Sequence, residues 1–334
     1  MMETGIHGNL YYWIKNFLCD RLIQTKVLNA YSSKTVLEEG LPQGSALSCT
    51  LFLLFINDLP NQLKAQKALY ADDLTFWQTQ NKAGTSAILL NEDLEVLQKY
   101  CKKWKLKINC TKTVYTIFTL SNVESQKHLR FNFGESQINK NENPVYLGVQ
   151  LDQKLTLSTH VDHLKQKATK RLKIIKRLAS TQWGADKTTL RQMYLGYVRS
   201  AMEYNLALQS ICSKSVQEKL NKIQNEAVRF IAGGMRSTSI EACEIDTNIE
   251  PLDIRRDAAA IEMVERYRRN EEDHPNRKTV DNWKGKNRLK KKSILTVAKT
   301  LEEKYHLPDN RKPEKPISKE LPPNLEIKKS NCNH

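Results

Sequence analysis

The chain holds 334 residues, with 53 Lys+Arg against 37 Asp+Glu and a net charge of +16. Hydrophobic residues make up 40%, enough to bury a core, which excludes wholesale disorder; at about 150 residues per domain the length suggests two domains. The charge excess points to a polyanionic partner, nucleic acid or an anionic membrane surface.

Taken in chain order, Leu10, Trp13, Ile14 and Phe17 share one helix face. Thr25–Ala30 and Thr35–Glu39 read as a hairpin around Tyr31-Ser32-Ser33. Gly40 to Ser45 is loop chemistry, and a helix follows with Leu47, Leu51, Leu54 and Phe55 inward and Pro60 beyond its end. Lys67 to Trp77 predicts a tight hairpin with Asp72 and Asp73 at its turn. A helical period runs from Ile88 to Trp104, and strands are expected at Val114–Leu120, Leu129–Phe133 and Val145–Leu151. This half predicts an α+β fold with antiparallel pairing. After Thr159 the pattern turns helical: Val161, Leu164, Ala168, Leu172, Ile175 and Ala179 make one stripe, and helices follow over Leu190–Ala201 and Val216–Ile231, with Gly233 as a C-cap.

The last 61 residues, from His274, hold 6 of the 10 prolines and +9 of the +16 charge. They read as an exposed linker or tail, with a short helix at Ile294–Tyr305. Within it, Lys284–Lys292 fits a nuclear-targeting or RNA-binding patch and a solubilising linker equally well. Leu51 to Ile56, the longest apolar run, is too short to span a bilayer. The seven scattered cysteines form no Cys-x-x-Cys pair, which reads as reduced thiols in an intracellular protein, cytoplasmic or nuclear. His160 and His163 have no further ligands nearby in sequence, so no zinc site is assigned. Trp77, Trp104 and Trp183 could stack on bases, but aromatics at strand or helical spacing are usually core, and the cysteines are expected at core positions too.

Asp72 and Asp73 would repel at a hairpin tip unless a cation neutralises them, and two hard carboxylates with open water positions suit Mg²⁺, although an Asp-Asp pair taken alone is more often a solvated turn former. Lys165, Lys167, Lys170, Arg171, Lys173, Lys176 and Arg177 crowd one stretch of the first long helix after the α+β half. Taken alone such a face is more often simply solvated; phosphate contacts made from it would give affinity and salt dependence without sequence readout.

LPQGSALSCTLFLLFINDLP (Leu41–Pro60) followed by ALYADDLTFW (Ala68–Trp77) resembles the reverse transcriptases of non-LTR retrotransposons, the jockey-like group in particular. KWKLKINCTKT (Lys103–Thr113) and PVYLGVQLD (Pro144–Asp152) come in that family's order, and Ile223–Thr238 with Ile249–Arg256 resemble its thumb and connector. The resemblance implies an RNA-directed DNA polymerase using Mg²⁺, or Mn²⁺ in its place, with an RNA template, a DNA primer and deoxynucleoside triphosphates as partners. It implies a partial palm over residues 1–156, a helical thumb over 157–250, and a connector with a basic tail over 251–334.

Position by position, the resemblance makes Asp72 the metal ligand and Asp73 its acidic neighbour. Pro42, Gln43, Gly44, Ser45 and Tyr70 would lie against nucleotide and template, with glycine at 44 permitting close backbone approach. Lys112 would offset triphosphate charge or protonate the leaving pyrophosphate. Tyr146, Leu147 and Gly148 would form the primer grip, and Lys165, Lys170, Arg171, Lys173 and Arg177 would contact the nucleic-acid backbone.

The family's first catalytic aspartate belongs on a strand ahead of the helix near Gly8, and two-metal transfer needs carboxylates clamping ions roughly 3.5–4 Å apart. The expectation is therefore an interior slice of a larger polymerase, lacking fingers, with negligible polymerase activity of its own. No ribonuclease H motif appears, so no such activity is expected. The competing expectation is a non-catalytic nucleic-acid-binding remnant of a retroelement.

Overall fold

The computed structural model describes residues 6–179, 184–283 and 292–307. Two compact units divide the chain, one of residues 1–115 with 126–140 and the other of 116–125 with 141–334. The fold is mixed α+β, and no helix among the described residues is long and apolar enough to cross a membrane.

The first unit begins with α1 (Gly8–Leu18) and a pair of nested hairpin segments, β1 (Arg21–Ile23) with β4 (Thr35–Leu37), and β2 (Lys26–Val27) with β3 (Ala30–Tyr31). Helix α2 (Ala46–Ile56) and the short α3 (Leu59–Gln62) lead into the hairpin β5 (Gln66–Tyr70) and β6 (Asp73–Trp77). Helix α4 (Ala83–Lys103) is followed by β7 (Val114–Tyr115), β8 (Asn132–Phe133), β9 (Ser136–Gln137) and β10 (Asn139–Lys140). The core of this unit gathers Leu59, Leu63, Leu94, Leu97, Tyr100, Phe131 and Ile138, with Leu74 and Phe76 of β6 packed against it. Leu74 and Phe76 alternate with Asp73, Thr75 and Trp77, so one face of β6 is seated while the other carries the exposed Asp73 and Trp77.

The second unit contains α5 (Asn122–Ser125), the hairpin β11 (Val145–Tyr146) and β12 (Val149–Gln150), and then helices throughout. These are α6 (Ser158–Leu178), α7 (Lys187–Met193) running through a π-helical turn at Tyr194–Arg199 into α8 (Ser200–Met202), α9 (Leu206–Gln209), α10 (Lys214–Ala232), α11 (Ile240–Thr247), α12 (Leu252–Arg268), α13 (Pro275–Asp281) and α14 (Ile294–Lys304). Ala168, Ile175, Tyr194, Val198, Met202, Leu220, Ala227 and Val228 are fully buried in one core. Each large side chain so buried contributes about 1.5–3 kcal/mol, which makes this the heavily packed part of the molecule. Gly233 ends α10 in the left-handed region, with Gly234 N–H donating to the Arg229 carbonyl at 2.8 Å, so the expected C-cap is present.

Several local expectations change. The N-terminal hairpin turns at Leu28-Asn29, not at Tyr31-Ser32-Ser33, because the inner pair joins Val27 to Ala30. Val145–Leu151 is a hairpin and not one strand, since Leu147 and Gly148 both take positive φ. The strands expected at Val114–Leu120 and Leu129–Phe133 shrink to two-residue pairs, and β7 with β10 is parallel. Of the α1 stripe only Ile14 is buried, while Leu10 and Trp13 are more than half exposed; in α2, Leu54 and Phe55 are exposed as well. Trp77 and Trp104 are 43% and 40% exposed, so neither is a core residue. Cys101, Cys212 and Cys243 are buried as expected, but Cys19 and Cys49 lie at the surface.

Among the described residues after His274, the helix expected at Ile294–Tyr305 is present as α14, and it is packed rather than exposed. Leu295 and Ala298 of α14 pack against Val264 of α12, and Arg268 grips Glu302 with bonds of 2.6 and 3.2 Å. Charged side chains snorkel while their helix buries a small apolar face, which composition alone hides. Trp183, Cys332 and nearly all of Lys284–Lys292 lie outside the described residues.

Candidate active site

The aspartate pair sits where a two-residue turn closes the β5–β6 hairpin, with Tyr70 paired to Asp73 and Ala71-Asp72 as the loop. Ala71 takes φ +51°, a left-handed position that glycine ordinarily fills in such turns. The tip is therefore conformationally costly, a kind of strain that gathers at functional sites. Tyr70, Asp72 and Asp73 are all exposed, and neither carboxylate has a hydrogen-bond or ion-pair partner among the described residues.

What holds the hairpin is a residue that the sequence reading missed. Asp93, 1% exposed on α4, accepts from the Lys64 and Ala65 amides at 2.8 Å each, just before β5 begins. Lys67 adds a bond from its ammonium to the Leu63 carbonyl at 2.6 Å. Asp93 appears in the sequence as one acid among several on a helix, so nothing there marks it as an anchor.

The Pro42-Gln43-Gly44-Ser45 loop leads into α2 with Ser45 at the N-cap. Ser48 fastens it, donating from its hydroxyl to the Pro42 carbonyl at 2.6 Å. Arg21 fixes the approach, donating to the carbonyls of Leu18, Glu39 and Gly40 at 3.0, 3.2 and 2.8 Å. Gln43 and Gly44 are exposed, while Pro42 and Ser45 are half-buried. Gly44 has φ +88° and an added Cβ would meet nothing within 4 Å. The backbone conformation, rather than crowding within the chain, is what demands glycine there.

Lys112 is presented by a side-chain turn. Asn109 Oδ1 accepts from the Thr111 and Lys112 amides at 3.1 and 3.2 Å, and from the Thr111 hydroxyl at 2.6 Å. The Lys112 side chain is exposed with no partner among the described residues.

These three turns belong to the first unit, and no hydrogen bond or ion pair joins one to another among the described residues. Tyr146, Leu147 and Gly148 belong to the second unit, as do the helix α6 cations. There Gln150 N–H donates to His160 Nδ1 at 3.4 Å. His160 is 2% exposed, and burial, with a smaller contribution from the His163 charge, holds its imidazole below the usual value. Along α6, Lys165, Lys170, Lys173 and Arg177 are exposed. Arg171 instead lies 4.5 Å over the Tyr197 ring and donates to the Tyr197 carbonyl, and Lys176 pairs with Glu226.

Asp72 and Asp73 offer hard oxygen donors with no cationic partner among the described residues, a donor set that fits a divalent ion such as Mg²⁺. No group of three or more His, Cys, Asp or Glu side chains placed for a metal occurs among the described residues.

Residues 2–151 match the family described as reverse transcriptase (RNA-dependent DNA polymerase). The chain is 30% identical over 233 residues to a probable RNA-directed DNA polymerase from transposon BS of Drosophila melanogaster, covering 66% of this chain and 25% of that protein. It is 28% identical over 246 residues to the RNA-directed DNA polymerase from mobile element jockey of the same species, covering 70% and 26%. A Pol polyprotein from type-1 retrotransposable element R1 of Nasonia vitripennis is 22% identical over 223 residues, covering 64% and 66%. The chain thus spans about a quarter of the length of the first two relatives. No solved structure gives a significant match. Residues 2–151 thus form a reverse transcriptase (RNA-dependent DNA polymerase) family domain, related to those of the jockey, BS and R1-type non-LTR retrotransposable elements.

Proposed function

We propose that this chain contributes the palm and thumb of a polymerase that adds deoxynucleotides to a primer 3′-hydroxyl on an RNA template. Residues 1–156 supply palm, 157–250 the thumb and 251–334 the connector and basic tail. The observation that carries the proposal is the unneutralised carboxylate pair at a strained, exposed hairpin tip within the family-matched segment.

Asp72 holds the catalytic metal and Asp73 supports it. Mg²⁺ or Mn²⁺, when bound, lowers the primer hydroxyl's pKa and neutralises triphosphate charge. Pro42 to Ser45 and Tyr70 line the nucleotide and template, with the exposed Gly44 backbone free for close approach. Lys112 offsets charge on the triphosphate or protonates the departing pyrophosphate. Tyr146, Leu147 and Gly148 hold the primer end. Lys165, Lys170, Lys173 and Arg177 contact phosphates, with Arg171 reaching them only by leaving Tyr197.

A second reading, a non-catalytic nucleic-acid-binding remnant, is favoured by one observation: Asp72 and Asp73 are not joined by a third metal-ligating side chain among the described residues. Two-metal transfer needs carboxylates for both ions. Primer extension by the purified chain with Mg²⁺ or Mn²⁺ separates the two. Negligible extension is expected from these residues alone, with salt-dependent binding to an RNA–DNA duplex. Metal-dependent tightening of template–primer binding that Asp72→Ala abolishes supports the polymerase site. Binding indifferent to that substitution and to metal supports the remnant, and robust extension lost in Asp72→Ala overturns the expectation of inactivity.

A further inference from the structure

The turn assigned above to the primer end is not built to hold itself. Leu147 and Gly148 have φ of +45° and +76°, the signature of a two-residue turn that asparagine-glycine normally occupies. A γ-branched leucine has no side-chain group to stabilise a left-handed backbone, and L-residues disfavour that region. Something outside the turn must therefore hold Leu147 there.

Tyr204 does so from within the same unit. Its hydroxyl donates to the Leu147 carbonyl at 2.6 Å. Its ring lies so close to Gly148 that an added Cβ would come within 3.1 Å of both Cε1 and the hydroxyl oxygen. Glycine at 148 thus answers to a positive φ and to a neighbouring ring at once, unlike Gly44, where the space is open.

Tyr204 can serve as a fixed support because its own corner is pinned. The preceding Glu203 accepts from buried Arg199 at 2.6 Å and from Arg255 Nη2 at 2.9 Å. Arg199 also donates to the Glu250 carbonyl at 2.9 Å, and Gln209 closes the far side with a 2.7 Å bond to the Met202 carbonyl. Val149, just past the turn, is buried in the helical core. The exposed turn is thus tied to the helices at its tip by Tyr204 and at its base by Val149 and the Gln150–His160 bond.

We infer that Tyr204 is a positioning residue that clamps the Leu147–Gly148 turn and thereby sets where the primer 3′ end rests. The second half of this statement rests on the primer-grip reading of Tyr146 to Gly148.

Tyr204→Phe in the full chain keeps the ring and removes the hydroxyl. Amide hydrogen exchange over residues 145–151 is expected to quicken roughly fivefold, the scale of one lost neutral hydrogen bond. Aminopurine placed as the 3′ nucleotide of a DNA primer on an RNA template is expected to lose part of its binding-induced fluorescence change. Overall duplex affinity should stay within about twofold, because exposed lysines on α6 supply the salt-dependent attraction. Gly148→Ala, which strains the positive φ and brings a Cβ to 3.1 Å from the Tyr204 ring, is expected to quicken the same amides in the presence of either tyrosine or phenylalanine at 204. Unchanged exchange in Tyr204→Phe overturns the clamp. Quicker exchange with an unaltered aminopurine response overturns its role at the primer end. A wild-type chain that gives no aminopurine response overturns the primer-grip reading itself, and the exchange comparison still decides the clamp.

Discussion

The segment from α1 through α2 and the bundle around α6 and α10 are built on opposite principles. In the bundle, Tyr194, Val198, Met202, Leu220, Ala227 and Val228 are each fully buried. In the N-terminal segment, Leu10, Trp13, Leu22, Val27, Val36 and Leu53 are each at least half exposed. Packing therefore sets the conformation of the bundle, while local turns and single hydrogen bonds set that of the first segment. The contrast extends to chemistry. The Asp72, Gly44 and Lys112 turns are held through backbone by Asp93, Ser48, Arg21 and Asn109, which leaves their own functional groups unspent. The bundle binds many of its polar groups internally, Arg171 and Lys176 included.

The largest effect expected from that contrast is in truncation. Leu220→Ala should cost about 3–5 kcal/mol in denaturant melts, because its fully buried site leaves a cavity. Leu53→Ala, at a half-exposed site, should stay within about 0.5 kcal/mol. Equal losses would show that α2 is packed as tightly as the bundle.

Next comes the anchor of the aspartate hairpin. Asp93→Ala strands two nearly buried amides and should destabilise the first unit by about 2–4 kcal/mol. Asp72→Ala, by contrast, should leave the melting temperature unchanged or slightly raised, since it relieves repulsion at an exposed tip. A large loss from Asp72→Ala would mean that the carboxylate helps to hold the turn.

The smallest effect is the pH response of the second hairpin. His160 is held below the ordinary imidazole value, near 6.5, by burial and by His163. Its unfolded form therefore takes up a proton first as pH falls. Stability contributed by neutral His160 is complete above about pH 6.5 and is lost progressively on acidification below it. His160→Asn, which keeps an acceptor for Gln150, should flatten this part of the stability profile. An unaltered profile would place the acid sensitivity elsewhere.

Much of this was legible in the residues. The stripe from Val161 to Ile175 repeats at helical spacing and is buried as that spacing predicts, because a long amphipathic helix leaves a periodic trace. The Asp72-Asp73 turn was legible for a similar reason, apolar strands on both sides of a short polar interruption. The exposed faces of α1 and α2 misled the reading, since periodicity reports which residues can be buried and not whether a partner covers them. The α12–α14 packing was masked by a basic, proline-containing composition.

By itself the sequence determined the α+β class, the family, the carboxylate turn and the glycine loop, all of which depend on residues close together in the chain. Only the tertiary structure decided which side chains hold those turns in place. Asp93 lies 28 residues from the Ala65 amide it accepts from, Arg21 lies 19 from Gly40, and Tyr204 lies 57 from Leu147. In each bond one partner is a backbone group, which every residue type carries, so no pattern of side chains announces it.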